Sequence, residues 1–148
     1  MEDCRIIIKS LKKHPGFAGA DDNELIHLAE RCRLAWFAPE EIVVRKGAAE
    51  SEIPLLLEGR CIVFGETKEG WNNPLRILRE GNILDYSPLF SGDRAFNTIA
   101  CIESSMVLFI PCDELVDFLS ANPHGMMEMM RLLEKDKRVF MKLWMGAD

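Results

Sequence analysis

One arginine stands in a long stretch that has no other basic residue. Arg94 is the single Lys or Arg between positions 80 and 130, and it lies in the segment GNILDYSPLFSGDRAFNTIAC. A guanidinium and the free backbone N–H groups of a loop rich in small residues can together bind a phosphate or another small anion. Residues 81–101 are therefore a candidate anion-binding segment, which we call the candidate loop. The simpler alternative is a solvent-facing arginine that pairs with Asp85 or Asp93.

The sequence around the candidate loop has the pattern of an antiparallel β domain. Between residues 33 and 111 the chain alternates short apolar runs with turn-forming residues. Short strands at this spacing favour a sandwich or barrel over βαβ units. The predicted strands are Leu34–Phe37, Ile42–Arg45, Ile53–Leu57, Cys61–Gly65, Leu75–Leu78, Thr98–Ile102 and Met106–Ile110. The predicted turns are at Pro39, Gly47, Glu58-Gly59, Gly70, Asn72-Asn73-Pro74, Gly81 and Ser91-Gly92.

Helices are predicted on both sides of the strands. Residues 3–32 contain two apolar-periodic segments, and Asp21 with Glu24 three residues later resembles a capping box at the start of the second. That second helix is expected to place Leu25, Leu28, Ala29 and Cys32 on one face. Residues 112–145 contain a short helix that ends before Pro123 and then a long one.

The long helix carries a stripe of apolar residues at heptad-like spacing. Its members are Met126, Met130, Leu133, Phe140 and Trp144, interrupted by Lys137. One interpretation is a helix packed on its own domain. The other is a homodimer seam, because heptad spacing is typical of helix pairs and methionine surfaces repack easily.

The composition and the motif content of the sequence argue against several classes of function. The net charge of −6 and the pI of about 5.1 disfavour a chain-wide nucleic-acid surface. The five cysteines and three histidines have no spacing typical of a metal site or a disulfide framework, so we predict no metal. No nucleophile elbow, P-loop or HExxH is present, so we predict no enzyme. No secretory signal or membrane-spanning run is apparent either, which favours a cytoplasmic location.

The order of helices, short strands and a long terminal helix resembles the cyclic nucleotide-binding domain family. The resemblance rests on LKKHPGFAGADDNELIHLAE, on FAPEEIVVRKG, on the strand-turn-strand IPLLLEGRCIVF, and on VLFIP followed by EL. It runs from Leu11 to Leu133. It implies one domain over residues 1–148, with helices at 3–32, a β-roll at 33–111 and helices at 112–145. The implied fold is mainly β, an eight-stranded antiparallel jelly roll with flanking helices.

The resemblance also implies where a ligand would bind. In that family a glutamate bonds the ribose hydroxyl, and an arginine later in the loop pairs with the cyclic phosphate. Counting from either flank aligns Tyr86 and Ala95 with these two positions. A shift of one residue aligns Asp85 and Arg94, which are also nine residues apart. The implied ligand-binding residues are Leu84, Asp85, Tyr86, Ser87, Arg94, Ala95, Phe96 and Asn97.

Two functions follow from the resemblance. The first is a regulatory module that binds a small ligand, with cAMP or cGMP as candidates and an affinity that is weak or altered, and that signals through its C-terminal helices. The second is a pseudo-binding domain kept for dimerisation or protein interaction. A haem sensor on the same fold is a weaker third alternative. Relatives that regulate transcription carry a DNA-binding helix-turn-helix after the long helix, so this chain alone is not expected to bind nucleic acid.

Overall fold

The computed structural model describes residues 2–67, 70–89, 94, 95 and 97–144. The chain forms two units. The β unit is Glu30–Leu115, and the helical unit combines Met1–Ala29 with Val116–Asp148. The prediction of a single domain over residues 1–148 stays a prediction.

The strands of the β unit form two antiparallel sheets. One sheet has the order β1-β7-β3 and the other β2-β6-β4-β5. The strands are β1 Arg33–Phe37, β2 Ile42–Val44, β3 Glu52–Glu58, β4 Arg60–Thr67, β5 Gly70–Arg79, β6 Thr98–Cys101 and β7 Ser105–Pro111. All the strand positions predicted from the apolar runs are thereby confirmed, as is the mainly β fold with flanking helices. An eighth strand stays a prediction.

The core of the β unit lies between strands that are far apart in sequence. On β3 every residue from Ile53 to Leu57 is buried, and the same is true of β7 from Ser105 to Ile110. The two strands pair with Leu55 opposite Leu108. Continuous burial of this kind indicates strands that are covered on both faces.

The turn between β3 and β4 requires glycine. Gly59 has a φ of +104°, and a Cβ on it would lie 2.2 Å from the Ser105 side-chain oxygen. Both the backbone conformation and the close neighbour exclude a side chain at this position. The predicted Glu58-Gly59 turn is confirmed.

The predicted turn at Asn72-Asn73-Pro74 is wrong. These residues lie inside β5, where Asn73 pairs with Gly65 and Pro74 pairs with Phe64. β5 lies at the edge of its sheet, where a strand tolerates a proline that lacks a backbone N–H. The register of the β4–β5 pair shifts between Val63 and Phe64, opposite this segment. The Asn-Asn-Pro sequence therefore accompanies a β-bulge and not a chain reversal.

The helical unit begins with two helices, α1 Glu2–Lys12 and α2 Asp22–Ala29. The predicted cap of α2 is confirmed, because the Glu24 N–H donates to Asp21 Oδ1 at 2.8 Å. The predicted buried face is confirmed at Leu25, Leu28 and Ala29. Cys32 is not part of it, since α2 ends at Ala29 and the chain then turns towards β1.

Two further helices follow β7, and they are α3 Cys112–Ala121 and α4 Pro123–Trp144. Their boundary agrees with the predicted stop before Pro123. Within the helical unit, α4 lies against the turn after α1, because a Cβ on Gly125 would be 2.4 Å from the Gly16 carbonyl oxygen. Met129, one helical turn further on, is 2% exposed. In the described part of the chain, no helix combines the length and the apolar character that crossing a membrane requires.

Candidate functional site

The candidate loop begins as an extension of the three-stranded sheet. The Gly81 N–H donates to the Leu56 carbonyl, and the Leu84 N–H donates to the Pro54 carbonyl, each at 2.8 Å. Between them Ile83 forms a bridge with Leu55. Gly81 turns the chain into this position with a φ of +92°, which suits glycine. The first residues of the candidate loop are therefore held by β3.

Asp85 follows this pairing and is buried, at 6% exposure. Its carboxylate accepts a hydrogen bond from the Ser87 hydroxyl at 2.6 Å and a longer one from the Ser87 N–H at 3.3 Å. Burial raises the pKa of the Asp85 carboxyl, and the two Ser87 hydrogen bonds lower it in part. The carboxylate is thus satisfied from inside its own turn.

The turn that supplies Ser87 also reaches the start of α3. Ser87–Leu89 form a 3-10 turn, and the Leu89 N–H donates to the Tyr86 carbonyl at 2.9 Å. The Cys112 thiol donates to the Pro88 carbonyl at 3.2 Å. The candidate loop is therefore joined to the first residue of α3.

Arg94 lies at the other end of the candidate loop and is exposed. Its guanidinium donates from Nη1 to the Gly47 carbonyl at 2.8 Å. Arg94 also forms a backbone bridge with Ala49, and the buried Ala95 exchanges hydrogen bonds with Gly47 and Ala48 at 2.9 Å each. Gly47, at a φ of +82°, lies in the turn that forms these hydrogen bonds with Arg94 and Ala95.

After Arg94 the chain enters β6. Asn97 is half-buried, and Thr98 accepts a hydrogen bond from the Lys46 N–H on its Oγ1 at 3.1 Å. Phe96 and Asp93 lie outside the described residues. The residues before Gly47 and the residues after Arg94 thus run side by side.

One acidic residue of this region was missed by sequence reasoning. Glu50 follows the segment that pairs with Arg94, and the pKa of its carboxyl is raised by burial first and then by the negative charges of Asp85 and Glu52. Arg33 lowers it in part. Glu50 lies 35 positions before Asp85 (85 minus 50), so the sequence carries no signal that places the two carboxylates near each other.

The structure brings some predicted residues together and keeps others apart. Leu84, Asp85, Tyr86 and Ser87 form one group along β3 and the 3-10 turn, and Arg94 with Ala95 forms a second group on the Gly47–Ala49 segment. No ion pair joins Asp85 to Arg94 in the described residues: the Asp85 carboxylate accepts from Ser87, and the Arg94 guanidinium donates to the Gly47 carbonyl. Which residues contact a ligand stays a prediction.

The apolar stripe of α4 is partly exposed. Met130 is 56% exposed, whereas Met126 and Leu133 are half-buried. The backbone of Phe140 and Trp144 lies in the helix, and their side chains lie outside the described part.

Among the described residues, no group of three His, Cys, Asp or Glu side chains is arranged to hold a metal ion.

Three solved structures illustrate what the fold of this chain is similar to. The sensor domain of the transcriptional regulator DNR from Pseudomonas aeruginosa is 17% identical with a TM-score of 0.78, over 100% of this chain and 97% of that one. The regulatory domain of Toxoplasma gondii PKA, crystallised with cAMP, is 13% identical with a TM-score of 0.73, over 90% of this chain and 51% of that one. The Thermus thermophilus catabolite activator protein is 15% identical with a TM-score of 0.69, over 84% and 58%. This chain thus spans about half of the PKA regulatory-domain chain and under two thirds of the activator.

The sequence itself matches a family. No curated protein sequence matches the chain. The family model described as the cyclic nucleotide-binding domain matches residues 34–122, which is more than half of the 148 residues and includes the candidate loop and the strands from the second residue of β1 to the end of β7. The chain therefore belongs to the cyclic nucleotide-binding domain family.

Proposed function

We propose that this protein is a non-catalytic regulatory module whose affinity for cyclic nucleotides is weak or altered and whose output passes through its C-terminal helices. The observation that carries the proposal is the state of the two charged residues. The Asp85 carboxylate is buried and bonded to Ser87, and the Arg94 guanidinium is exposed and bonded to the Gly47 carbonyl. A cyclic nucleotide held by these two groups would have to displace Ser87 from the Asp85 carboxylate, and it would meet an Arg94 guanidinium that already donates one of its N–H groups to a backbone carbonyl.

The energetic cost of that displacement supports weak binding. A hydrogen bond to a buried charged group such as the Asp85 carboxylate contributes about 1.5–3 kcal/mol, and about 1.4 kcal/mol corresponds to a tenfold change in the dissociation constant. A ligand that exchanges an internal bond for a new one gains little from it. We therefore place cAMP and cGMP among the candidate ligands, with dissociation constants well above the micromolar range.

The contact between the candidate loop and α3 supports the signalling part of the proposal. The Cys112 thiol binds the Pro88 carbonyl, and the Cys112 N–H donates to the Ser51 carbonyl at 3.0 Å. A ligand that changes the Ser87–Leu89 turn would act directly on the first residue of α3. Such a ligand shifts the helices only as far as it binds the two arrangements with different affinity.

Calorimetric titration with cAMP and with cGMP tests the proposal. We expect weak binding that Arg94→Ala reduces further and that Arg79→Ala, at an exposed arginine of β5, leaves unchanged. Micromolar binding that Arg94→Ala abolishes would contradict the weak-affinity part. The absence of a binding signal at millimolar nucleotide would favour the second function below.

The second function is a pseudo-binding domain that serves dimerisation or protein interaction. It is favoured by the exposed methionines of α4, because Met130 is 56% and Met127 is 50% exposed. Under this proposal the chain forms a homodimer through the seam of Met126, Met130, Leu133, Phe140 and Trp144. A charge placed in that seam would separate the subunits.

Analytical ultracentrifugation tests the seam. We expect Met130→Glu to halve the mass of the parent species and Lys135→Glu, at an exposed position on the opposite side of the same helix, to leave it unchanged. A monomeric parent, or a dimer that survives Met130→Glu, would remove α4 from the interface. A cytoplasmic location remains part of the proposal and is compatible with either function.

A further inference from the structure

Two cysteines face each other across the centre of the four-stranded sheet. Cys61 on β4 pairs with Cys101 on β6, and their sulfur atoms are 3.9 Å apart. Both are free thiols, and they are 0% and 3% exposed. Neither β4 nor β6 is an edge strand, because the sheet order is β2-β6-β4-β5.

The backbone hydrogen bonds define the type of pair. The Cys101 N–H donates to the Glu41 carbonyl at 2.9 Å, and its carbonyl accepts from the Glu40 N–H at 2.8 Å. Both polar groups of the Cys101 backbone therefore bond away from β4. Towards β4 the next bond is from the Ile102 N–H to the Arg60 carbonyl at 2.8 Å. Cys61 and Cys101 thus form a non-hydrogen-bonded pair.

This kind of pair has the geometry that a disulfide needs. In non-hydrogen-bonded antiparallel pairs the Cα atoms are about 4.5 Å apart and the side chains are at their closest. Disulfides join residues whose Cα atoms are about 4.4–6.8 Å apart. Side-chain rotation alone can therefore bring the two sulfur atoms to bonding distance.

We propose that Cys61 and Cys101 are a reversible redox pair, which a peroxide converts from two thiols into one disulfide within the sheet. The Cys61 or Cys101 sulfur attacks the peroxide O–O bond, and one oxygen leaves as water while the sulfur becomes a sulfenic acid. The second sulfur then attacks the first, an S–S bond forms, the S–O bond breaks, and the second oxygen leaves as water. In total two thiols and one hydrogen peroxide give one disulfide and two waters.

Burial sets the rate of this step. Burial raises the pKa of the Cys61 thiol to about 12, and the neighbouring Cys101 raises it as well. Little of the reactive thiolate is present at neutral pH, so oxidation is slow and requires brief separation of β4 from the four-residue β6. The consequence for the fold is local, because β6 continues directly from Arg94, Ala95 and Asn97. The disulfide fixes the end of the candidate loop to β4.

The test uses hydrogen peroxide on a chain in which Cys4, Cys32 and Cys112 are replaced by serine. After oxidation, the protein is unfolded, alkylated and analysed by intact mass and peptide mapping. We expect a monomer that has lost the mass of two hydrogen atoms, a linked Cys61–Cys101 peptide, a raised urea midpoint, and full reversal by dithiothreitol. Because the pKa of the Cys61 thiol is raised, we also expect the oxidation to become faster as the pH rises.

A matched variant with Cys101→Ser added to the same background has no partner thiol. We expect it to stop at the sulfenic acid and to form no intramolecular link. Two thiols that stay free to alkylate after the treatment, or that oxidise further without forming a link, would overturn the proposal. If the triple serine variant does not fold, peptide mapping of the unaltered chain gives the same decision, because the Cys61–Cys101 linkage is identified directly.

Discussion

The two ends of the candidate loop use a charged residue in opposite ways. At one end the Asp85 carboxylate is buried, at 6% exposure, and is bonded to a residue two positions further on. At the other end the Arg94 guanidinium is exposed and bonded to a backbone carbonyl that lies 47 positions earlier in the chain. The first contact closes a local turn, whereas the second joins two distant segments.

This contrast indicates which of the two charges is structural. A buried carboxylate is stable only with donors around it, so removing a donor leaves an unsatisfied group. An exposed guanidinium can exchange its partner for water at little cost. We therefore interpret Asp85 as part of the scaffold and Arg94 as the charge that remains available to a ligand.

The largest effect is expected at the buried end. Ser87→Ala removes the hydroxyl that donates to Asp85 Oδ2 and should lower the free energy of unfolding by about 1–3 kcal/mol. Urea unfolding at neutral pH measures it. Ser120→Ala is the control, because the exposed Ser120 hydroxyl donates to the Val116 carbonyl and its loss should change stability by about 0.5 kcal/mol or less. Equal effects for the two variants would show that the Asp85 turn is not structural.

A smaller effect is expected at the exposed end. Arg94→Ala removes one surface hydrogen bond to the Gly47 carbonyl and should cost about 0.5–1.5 kcal/mol. The same urea unfolding measures it, with Arg79→Ala as the exposed control. A loss larger than that of Ser87→Ala would reverse our assignment, because Arg94 would then be the structural charge.

The smallest effect on stability is expected at Glu50, and it depends on pH. The folded pKa of Glu50 lies above its ordinary value of 4.5, so the folded state binds this proton more tightly than the unfolded state. Stability from this group is therefore present at low pH and is lost as pH rises through the folded pKa. Glu50→Gln should stabilise the protein at pH 7 by less than about 0.5 kcal/mol.

Unfolding measured at several pH values distinguishes this cause from a simple change of side chain. The gain from Glu50→Gln should shrink as pH falls towards 4.5. A constant gain at every pH would mean that neither burial nor the charges of Asp85 and Glu52 raise the pKa of the Glu50 carboxyl.

The strand positions and the charged residues of the loop were accessible from the sequence. Apolar runs predicted each strand, and the absence of any other Lys or Arg between positions 80 and 130 drew attention to Arg94 and the candidate loop. The contact between Asp85 and the Ser87 N–H has a sequence signal too, since Asp side chains in turns often bond the backbone two residues on. The Asn72-Asn73-Pro74 turn failed because local propensity cannot show that β5 lies at a sheet edge.

The fold class, the helix cap at Asp21 and the Glu58-Gly59 turn can be predicted from the sequence, because hydrophobic period, capping and turn chemistry act over a few residues. Which groups these residues contact depends on tertiary packing. It placed the Gly47 carbonyl against Arg94, Glu50 near Asp85, and Cys61 opposite Cys101. These contacts depend on strand order and register, which are fixed by burial across the whole sheet and leave no local trace in the chain.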